Sequence, residues 1–362
     1  MGVNSPGDPQ APRPDGSDGS GRPGRSDADP EPLVRGGVLA VDAGNSKTDV
    51  ALVAADGRVL GSARGGGFQP PVVGVAAAVD AVAEAVERAA AAAGLPPARE
   101  RGGRPLAAHV SACLANADLP VEERELEQAV HARGWSSSTA VANDTFAILR
   151  AGVDAPRGVA VVCGAGINCV GLLPDGRTAR FPAIGRLSGD WGGGGGLAEE
   201  ALWFAARAED GRGAPTELAR TLPAHFGLDS MYALIEALHL GHVPGGRRLE
   251  LAPVLFATAA AGDPVARSVV DRQAEEIVAL ASVALRRLDL LDEEADVVLG
   301  GGVLAARHPQ LMDGIDTLLA AVAPKARTRV IAAPPILGAA LLGLDRTASP
   351  PEAHAALRAH YA

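Results

Sequence analysis

The apolar positions of the chain fall into short runs that end at glycine turns, and this arrangement occurs twice. In the first copy VLAVD leads into a glycine-containing turn, and TDVALV and RVLGSA follow it, joined by Asp56-Gly57. In the second copy GVAVVC leads into a second glycine turn, and CVGLL and RTARF are joined by Asp175-Gly176. An Asp-Gly pair between apolar runs is typical of a tight β-hairpin. Each copy is therefore predicted to be a strand, a glycine turn and a hairpin.

Helical patterns separate and follow the two copies. Apolar spacing predicts helices over about 72–93, 121–133 and 264–291, and short strands that end near Leu114 and at Asp144. A third strand and glycine turn, DVVLGGGVLA, is followed by a helix, the strand TRVIAAP and the apolar helix ILGAALLGL, which is expected to pack against the sheet core. Repeated units of this kind predict an α/β fold made of duplicated domains around a cleft.

Composition sets the expected boundaries. Residues 1–35 are rich in Pro, Gly, Ser and Asp, which predicts a disordered tail because such residues bury little apolar surface. The first lobe is expected over 36–150 and the second over 151–346, and residues 347–362 are expected to be weakly ordered. With 362 residues, 47% of them hydrophobic, the chain is long enough for two cores.

Charge and cysteine usage narrow the class of function. A formal net charge of −10 disfavours binding to nucleic acid or to an anionic membrane, and a small-molecule ligand is favoured. The three cysteines, Cys113, Cys163 and Cys169, are too few for a disulfide framework, which indicates a reducing cytoplasm. Because the chain has neither a signal-peptide pattern nor a long uninterrupted apolar run, we expect a soluble protein.

Both glycine turns are candidate phosphate sites, because closely spaced backbone N–H groups can converge on phosphate oxygens. Ordinary hairpin turns are the alternative, and the matched positions of the two copies favour phosphate loops. Asp42 ends the first strand and is expected to orient Mg²⁺ through water, or else to bind local amides as a turn residue. The predicted nucleotide-binding residues are Asp42, Gly44, Asn45, Ser46, Lys47, Thr48, Gly164, Ala165, Gly166, Asn168, Gly301 and Gly302.

Other polar residues are candidates for the acceptor side of a phosphoryl transfer. Asp144 lies between a strand and a helix, where a carboxylate acts either as a helix N-cap or as the base that accepts an alcohol proton. Asn143 beside it either binds sugar hydroxyls or closes the turn. Asp190 is a candidate sugar ligand, and the glycines at Gly192–Gly196 indicate a flexible lid or a ligand site close to the backbone rather than a plain linker.

Four of these segments resemble motifs of the BadF/BadG-type ATPase family, which includes N-acetylglucosamine kinases. VDAGNSKTDVALV resembles its first phosphate motif, CGAGINCVG its second, FPAIGRLSGDWGGG its sugar-contacting stretch and LGGGVLA its adenosine motif. The resemblance implies an actin/hexokinase-type, ribonuclease H-like fold, the cofactors ATP and Mg²⁺, an amino sugar as substrate and a homodimer. There are departures from the motifs at Asn45, Ser46 and Ala165.

The same resemblance implies roles for individual residues. Asp144 would be the catalytic base, Asp190 and Gly185 would hold the sugar, and Phe68 and Gln69 fall where these kinases place a sugar-contacting Asn. Phosphorylation of N-acetylglucosamine on its C6 hydroxyl is the leading expectation. A kinase for glucosamine, N-acetylmuramic acid or glucose, and an ATPase switch without sugar kinase activity, are the alternatives. A dehydratase activator and a DNA-binding regulator are disfavoured, because no suitable cysteine pair, zinc cluster or helix-turn-helix segment is evident.

Overall fold

A computed structural model describes residues 30–362 and contains two five-stranded sheets of the same design. The strand order is β3-β2-β1-β4-β5 in the first sheet and β10-β9-β6-β7-β8 in the second. In each sheet the leading strand is antiparallel to the next strand along the chain and parallel to the strand on its other side. The predicted duplication is confirmed. The strands are β1 Val34–Ala43, β2 Thr48–Val53, β3 Val59–Gly65, β4 Ala107–Leu114, β5 Ser136–Asn143, β6 Gly158–Cys163, β7 Ile167–Leu172, β8 Thr178–Arg180, β9 Ala295–Gly300 and β10 Ala326–Val330.

Helices cover the sheets and fill most of the second lobe. The predicted helix over 72–93 corresponds mainly to α2, that over 121–133 to α3 and that over 264–291 to α9. The α-helices are α1 Pro70–Val73, α2 Val75–Ala92, α3 Pro120–His131, α4 Thr145–Gly152, α5 Gly193–Glu209, α6 Leu218–His225, α7 Met231–His239, α8 Leu251–Ala260, α9 Pro264–Arg287, α10 Gly302–Ala305, α11 Pro309–Val322, α12 Pro335–Arg346 and α13 Pro351–His360.

From Val38 to Val41 strand β1 is apolar at every position, because both of its faces are covered there. Leu39 and Val41 belong to a core shared with α2 and α3, whereas Val38 and Ala40 belong to a core formed with α4, α12 and α13. Alternate side chains of a strand point to opposite faces, so a continuous apolar run is expected where helices lie on both. This packing places the ends of the strands, and the turns that follow them, at the edge of the sheet.

The C-terminal segment belongs to the first lobe, which corrects two of the expected boundaries. Helix α12 packs on β1 and β4 of the first sheet instead of on the second lobe, and Leu341 and Leu344 are fully buried there. Residues 347–362 are not weakly ordered as a whole, because α13 buries Ala353 and Leu357 in the same core. The apolar pattern predicted these helices but carries no information on which sheet they cover.

The N-terminal boundary is also shifted. Strand β1 begins at Val34, which pairs with Ala107, so order starts slightly before Gly36. The predicted tail lies mostly in residues 1–29, outside the described residues. Both predicted Asp-Gly hairpin turns are present, and their glycines have the positive φ that such turns require, 85° at Gly57 and 87° at Gly176.

Within residues 30–362 no single helix is long and apolar enough to cross a membrane. A bent pair, Gly245–Ala260 with Pro264–Arg287, meets the criteria of length and composition together. Leu255 and Ile277 of this pair are fully buried in the core of the second lobe.

Candidate nucleotide and sugar site

The first glycine turn joins β1 to β2 and presents backbone amides to solvent. The Gly44 amide donates to the Lys47 carbonyl oxygen at 2.9 Å and closes the turn. Asn45 and Ser46 are exposed, and within residues 30–362 their amides donate to no protein atom. Two unpaired neighbouring N–H groups in a turn are suited to phosphate oxygens.

Two residues of this motif have structural partners instead. The Thr48 hydroxyl donates to the Gly66 carbonyl oxygen at 2.9 Å, and Thr48 is 2% exposed, so this arrangement does not support the expected phosphate contact of its side chain. Lys47 is half-exposed and forms a 2.8 Å ion pair with Asp49, which Arg64 also binds. Lys47 can still turn to a phosphate, because its ammonium lies at the edge of the turn.

The second glycine turn, after β6, is hydrogen-bonded to the start of α5. The Gly164 amide donates to the Gly166 carbonyl oxygen at 2.9 Å. Amides of the first turn of α5 then donate to this loop, from Gly194 to the Gly164 oxygen at 2.7 Å and from Gly195 to the Ala165 oxygen at 2.9 Å. Ala165 and Gly166 remain exposed. Because Ala165 has no hydroxyl, only backbone amides of this turn would be available to a phosphate.

The run Gly192–Gly196 is not a lid. Gly193 has a φ of 72°, and a Cβ atom there would lie 2.5 Å from the carbonyl carbon of Gly166. Gly301 likewise has a φ of 86° and leaves no room for a Cβ atom beside Cys163. The glycines are required because α5 and the segment after β9 both approach the second turn at backbone distance.

A cavity of about 270 Å³ opens beside the second turn and is suited to a nucleotide base. Gly164, Ala165 and Gly302 form one side of it. Phe256 and His308 line it as a stacked pair, with ring centroids 4.1 Å apart, and burial lowers the pKa of His308. Sequence reasoning missed both rings because they lie far apart in the chain, on α8 and before α11.

Two carboxylates meet at the carboxyl edge of the first sheet. Asp42 ends β1, and Asp144 follows β5, with β4 between them. Asp42 is 7% exposed and its carboxylate has no hydrogen-bond partner among residues 30–362. Burial, followed by the charge of Asp144, raises the pKa of Asp42 to about 7. Burial raises the pKa of Asp144 to about 6, partly offset by the amide and hydroxyl of Thr145.

These carboxylates fit a magnesium ion that is held mainly by phosphates and water. No cluster of three or more potential His, Cys, Asp or Glu ligands occurs in the described part of the chain. Mg²⁺ commonly takes one or two carboxylates and fills its other positions with water and substrate phosphates. Asp42 would supply that carboxylate.

Asp144 occupies the N-cap position of α4, but its side chain does not cap the helix. Its side chain makes no cap hydrogen bond, and the Thr145 amide instead donates to Asn143 Oδ1 at 2.9 Å. Asn143 is 3% exposed, and its Oδ1 also accepts from Asn168 Nδ2 at 3.1 Å. Asn143 thus closes the turn, and its oxygen is fully used by the protein. This arrangement does not support the expected role of Asn143 as a sugar ligand, and it gives Asn168 a protein partner.

The segment before α1 contains two expected sugar ligands, of which one is exposed and one is buried. Phe68 is 1% exposed and belongs to the core of the first lobe, so its position does not support the expected sugar contact of its side chain. Gln69 is exposed, and its Nε2 donates to the Asn45 carbonyl oxygen at 2.9 Å. Asn116 joins the same region, because its amide donates to Asn45 Oδ1 and to the Phe68 carbonyl oxygen.

A second cavity, of about 250 Å³, lies on the other side of the second turn and contains the predicted sugar residues. Asp190, Gly185 and Arg186 line it together with Gly166. Asp190 Oδ2 accepts from the Gly185 amide at 2.9 Å and from the Ser188 hydroxyl at 2.6 Å. Asp190 Oδ1 has no partner in the described chain. The predicted pair is therefore brought together, with one carboxylate oxygen left for a ligand.

Two phosphate-type turns, a pair of neighbouring carboxylates and a duplicated sheet define a nucleotide-binding protein of the actin-like ATPase class. The chain belongs to the BadF/BadG/BcrA/BcrD ATPase family, whose family model matches residues 39–343.

Relatives with curated descriptions are amino sugar kinases. The chain is 25% identical over 190 residues to an N-acetylmuramic acid/N-acetylglucosamine kinase of Clostridium acetobutylicum, with 52% of this chain and 62% of that protein covered. It is 26% identical over 214 residues to an N-acetyl-D-glucosamine kinase of Dictyostelium discoideum, with 59% and 67% covered. The alignments thus span about two thirds or less of these relatives.

A solved structure covers more of the chain. It is that of a Chromobacterium violaceum protein proposed to be an N-acetylglucosamine kinase, with a TM-score of 0.63 and 26% identity. The superposition covers 85% of this chain and 98% of that one. The actin/hexokinase-type fold expected from the sequence is confirmed.

Proposed function

We propose that the protein transfers a phosphoryl group from ATP to a hydroxyl of an amino sugar, with N-acetylglucosamine 6-phosphate as the leading product. The observation that carries this proposal is Asp144, a partly buried carboxylate without a capping role, which lies near a second carboxylate at the carboxyl edge of the first sheet. The names of the two curated relatives support an amino sugar as acceptor.

In this proposal the chain's own residues divide the work between two sides of the site. The amides of Asn45 and Ser46, and those of the second turn, bind phosphate oxygens, and the cavity of Phe256 and His308 holds the base. Asp190 Oδ1 and Gln69 bind sugar hydroxyls. ATP with Mg²⁺ supplies the phosphoryl group, and Asp42 orients the ion through water.

Asp144 accepts the proton of the sugar hydroxyl. The hydroxyl oxygen forms a bond to the γ-phosphorus at the same time, and the bond between that phosphorus and the ADP oxygen breaks. A pKa near 6 suits this role, because the carboxylate is mostly ionised at neutral pH and still basic enough to take a proton. The chemistry needs ATP, so the proposed site of action is the cytoplasm.

N-acetylmuramic acid is a second candidate substrate, favoured by one side chain. Arg186 lines the sugar cavity and pairs with Glu200 at 2.9 Å, and its side chain is 68% exposed. A guanidinium at that position can bind the carboxylate that distinguishes N-acetylmuramic acid from N-acetylglucosamine.

The proposal is tested by coupled ADP release with ATP and Mg²⁺ against N-acetylglucosamine, N-acetylmuramic acid, glucosamine, N-acetylmannosamine and glucose. Release that depends on an amino sugar is expected. Release that depends only on glucose would show that the substrate is not an amino sugar, and sugar-independent release would favour an ATPase switch. Product analysis by phosphorus NMR would identify the hydroxyl that is phosphorylated.

A further inference from the structure

A line of side-chain hydrogen bonds crosses from one lobe to the other next to Asp144. Asp118, which follows β4, accepts a bond from Asn143 Nδ2 at 2.7 Å through its Oδ1. Asn143 Oδ1 accepts from Asn168 Nδ2, on β7 of the second sheet. The same oxygen accepts from the Thr145 amide. The side-chain amide of Asn143 therefore fixes both neighbours of Asp144 in the chain, Asn143 itself and Thr145.

The chemistry of Asp118 determines which way that amide group faces. An ionised carboxylate accepts hydrogen bonds but donates none, so it can pair only with the NH₂ side of Asn143. The oxygen of Asn143 must then face the Thr145 amide and Asn168. In the reversed orientation the NH₂ group of Asn143 would face the Thr145 amide, with a donor against a donor. The carbonyl oxygen of Asn143 would then face the carboxylate of Asp118.

We infer that Asp118 is a positioning residue for the phosphoryl transfer: it fixes the Asn143 amide, and through it the backbone that carries Asp144 against the second lobe. The inference rests on the proposed function, since it assigns Asp118 a part in the same reaction. Asp118 acts through Asn143 and does not itself contact the reacting atoms.

A second contact between the lobes lies beside this line. Arg180, on β8, forms a 2.6 Å ion pair with Glu123 of α3, and it also donates to the carbonyl oxygen of Ala117. The residue before Asp118 is thus tied to the second lobe as well. The two contacts of Arg180 hold the segment after β4 against β8. They therefore fix the position of Asp118 relative to Asn143.

Charged neighbours of Asp118 support a role that depends on pH. Burial, and then the charges of Asp144 and Glu122, raise the pKa of Asp118 to about 7, against the lowering effects of Arg180 and of the Asn143 bond. When Asp118 is protonated it can donate as well as accept. The restriction on the orientation of Asn143 is therefore strongest above neutral pH.

The first experiment compares wild type with Asp118→Asn, which keeps the size of the side chain but adds a donor. We expect kcat to fall roughly tenfold to a hundredfold, as for other residues that orient a working group. The KM values for sugar and ATP, and the melting temperature, should stay close to those of wild type. Glu127→Gln, an exposed change on α3, is the matched control and should not alter kcat. An increase in the sugar KM with kcat unchanged would overturn the inference, because it would make Asp118 a sugar ligand.

The second experiment asks whether Asp118 acts through Asn143. In a double-mutant cycle the variant that combines Asp118→Asn with Asn143→Ala should lose no more kcat than Asn143→Ala alone. Additive losses would overturn the inference.

A third measurement does not require activity. Hydrogen exchange at the Thr145 amide should be roughly tenfold faster in Asp118→Asn than in wild type, since one hydrogen bond is loosened. Unchanged exchange would overturn the inference. If wild type releases no ADP with any sugar, the proposed function fails and this measurement still decides the role of Asp118.

Discussion

Asp42 and Asp144 share one electrostatic environment, in which the negative charge of Asp144 raises the pKa of Asp42. They follow strands that both lie next to β4, so the sheet brings together two residues about 100 positions apart in sequence. Placing two carboxylates together in a buried edge is unfavourable without a ligand. A cation between phosphates and Asp42, and a hydroxyl at Asp144, would relieve that cost.

Asp144→Asn removes the proposed base while keeping its shape. We expect kcat to fall by about 10²–10⁴-fold, because an amide cannot take the hydroxyl proton. ATP affinity, measured by calorimetry, should change little. Asp313→Asn, an exposed change on α11, is the control. Turnover close to that of wild type in Asp144→Asn would show that Asp144 is not the base.

Activity should rise with pH across the neutral range. Asp144, with a pKa of about 6, must be ionised to accept a proton, and Asp42, with a pKa of about 7, must be ionised to bind the cation. The value of kcat/KM should therefore increase from pH 5 to about 8 and then level off. A profile that is flat below pH 7 would contradict these assignments.

Stability without ligands should change in the opposite direction. The folded-state pKa values of Asp42 and Asp144 lie above the ordinary value of 3.8, so the folded protein binds more protons than the unfolded chain. Their contribution to stability is complete below pH 4 and is lost as pH rises from about 4 to 7. Urea unfolding at several pH values should show this trend, and Asp42→Asn should weaken it. An unchanged pH dependence in Asp42→Asn would count against the raised pKa.

Asp190→Ala should weaken sugar binding more than ATP binding. The change removes the free Oδ1 and also the acceptor for the Gly185 amide and the Ser188 hydroxyl. We expect the sugar KM to rise roughly tenfold or more, because bonds to a charged group are lost. Asp190→Asn keeps an acceptor for the loop and separates loop support from sugar contact. A larger effect on the ATP KM would contradict the assignment of the cavity.

Gly193→Ala and Gly196→Ala test the packing of α5 on the second turn. At Gly193 the positive φ and the close approach of Gly166 should make alanine destabilising by about 1–3 kcal/mol. At Gly196 nothing lies within 4 Å of the added Cβ atom, and alanine should stabilise the helix by up to about 1 kcal/mol. Thermal unfolding of both variants measures the difference. Equal effects would mean that Gly193 is not constrained by the turn.

Local patterns predicted the elements well, because they depend on neighbouring residues. The Asp56-Gly57 and Asp175-Gly176 turns, the strand before Asp42 and the long helix from Pro264 all follow from local spacing or from Asp-Gly pairs. The pairing of Asp190 with Gly185 also lies within one loop, and the family motif covers it.

Relationships between distant segments could not be predicted in the same way. The family resemblance placed Phe68 where related kinases have a sugar-contacting Asn, yet its side chain fills the core of the first lobe. Asp118 was not singled out from the sequence, since only the folded sheet brings it to Asn143. The glycines at Gly192–Gly196 indicated mobility because sequence does not show the backbone that approaches them. The signal for Asp118 that could have been used is its place just after a buried strand.

The return of α12 and α13 to the first lobe affects how the chain can fold as it is made. The face of β1 and β2 formed by Val38, Ala40, Ala51 and Val53 is covered by residues from Ile336 to Leu357. A ribosome therefore releases this apolar sheet face long before it synthesises the helices that cover it. During that interval the nascent first lobe needs a chaperone or transient contacts to avoid aggregation. Loss of residues 336–362, by truncation or a premature stop, would leave much of the same face uncovered permanently.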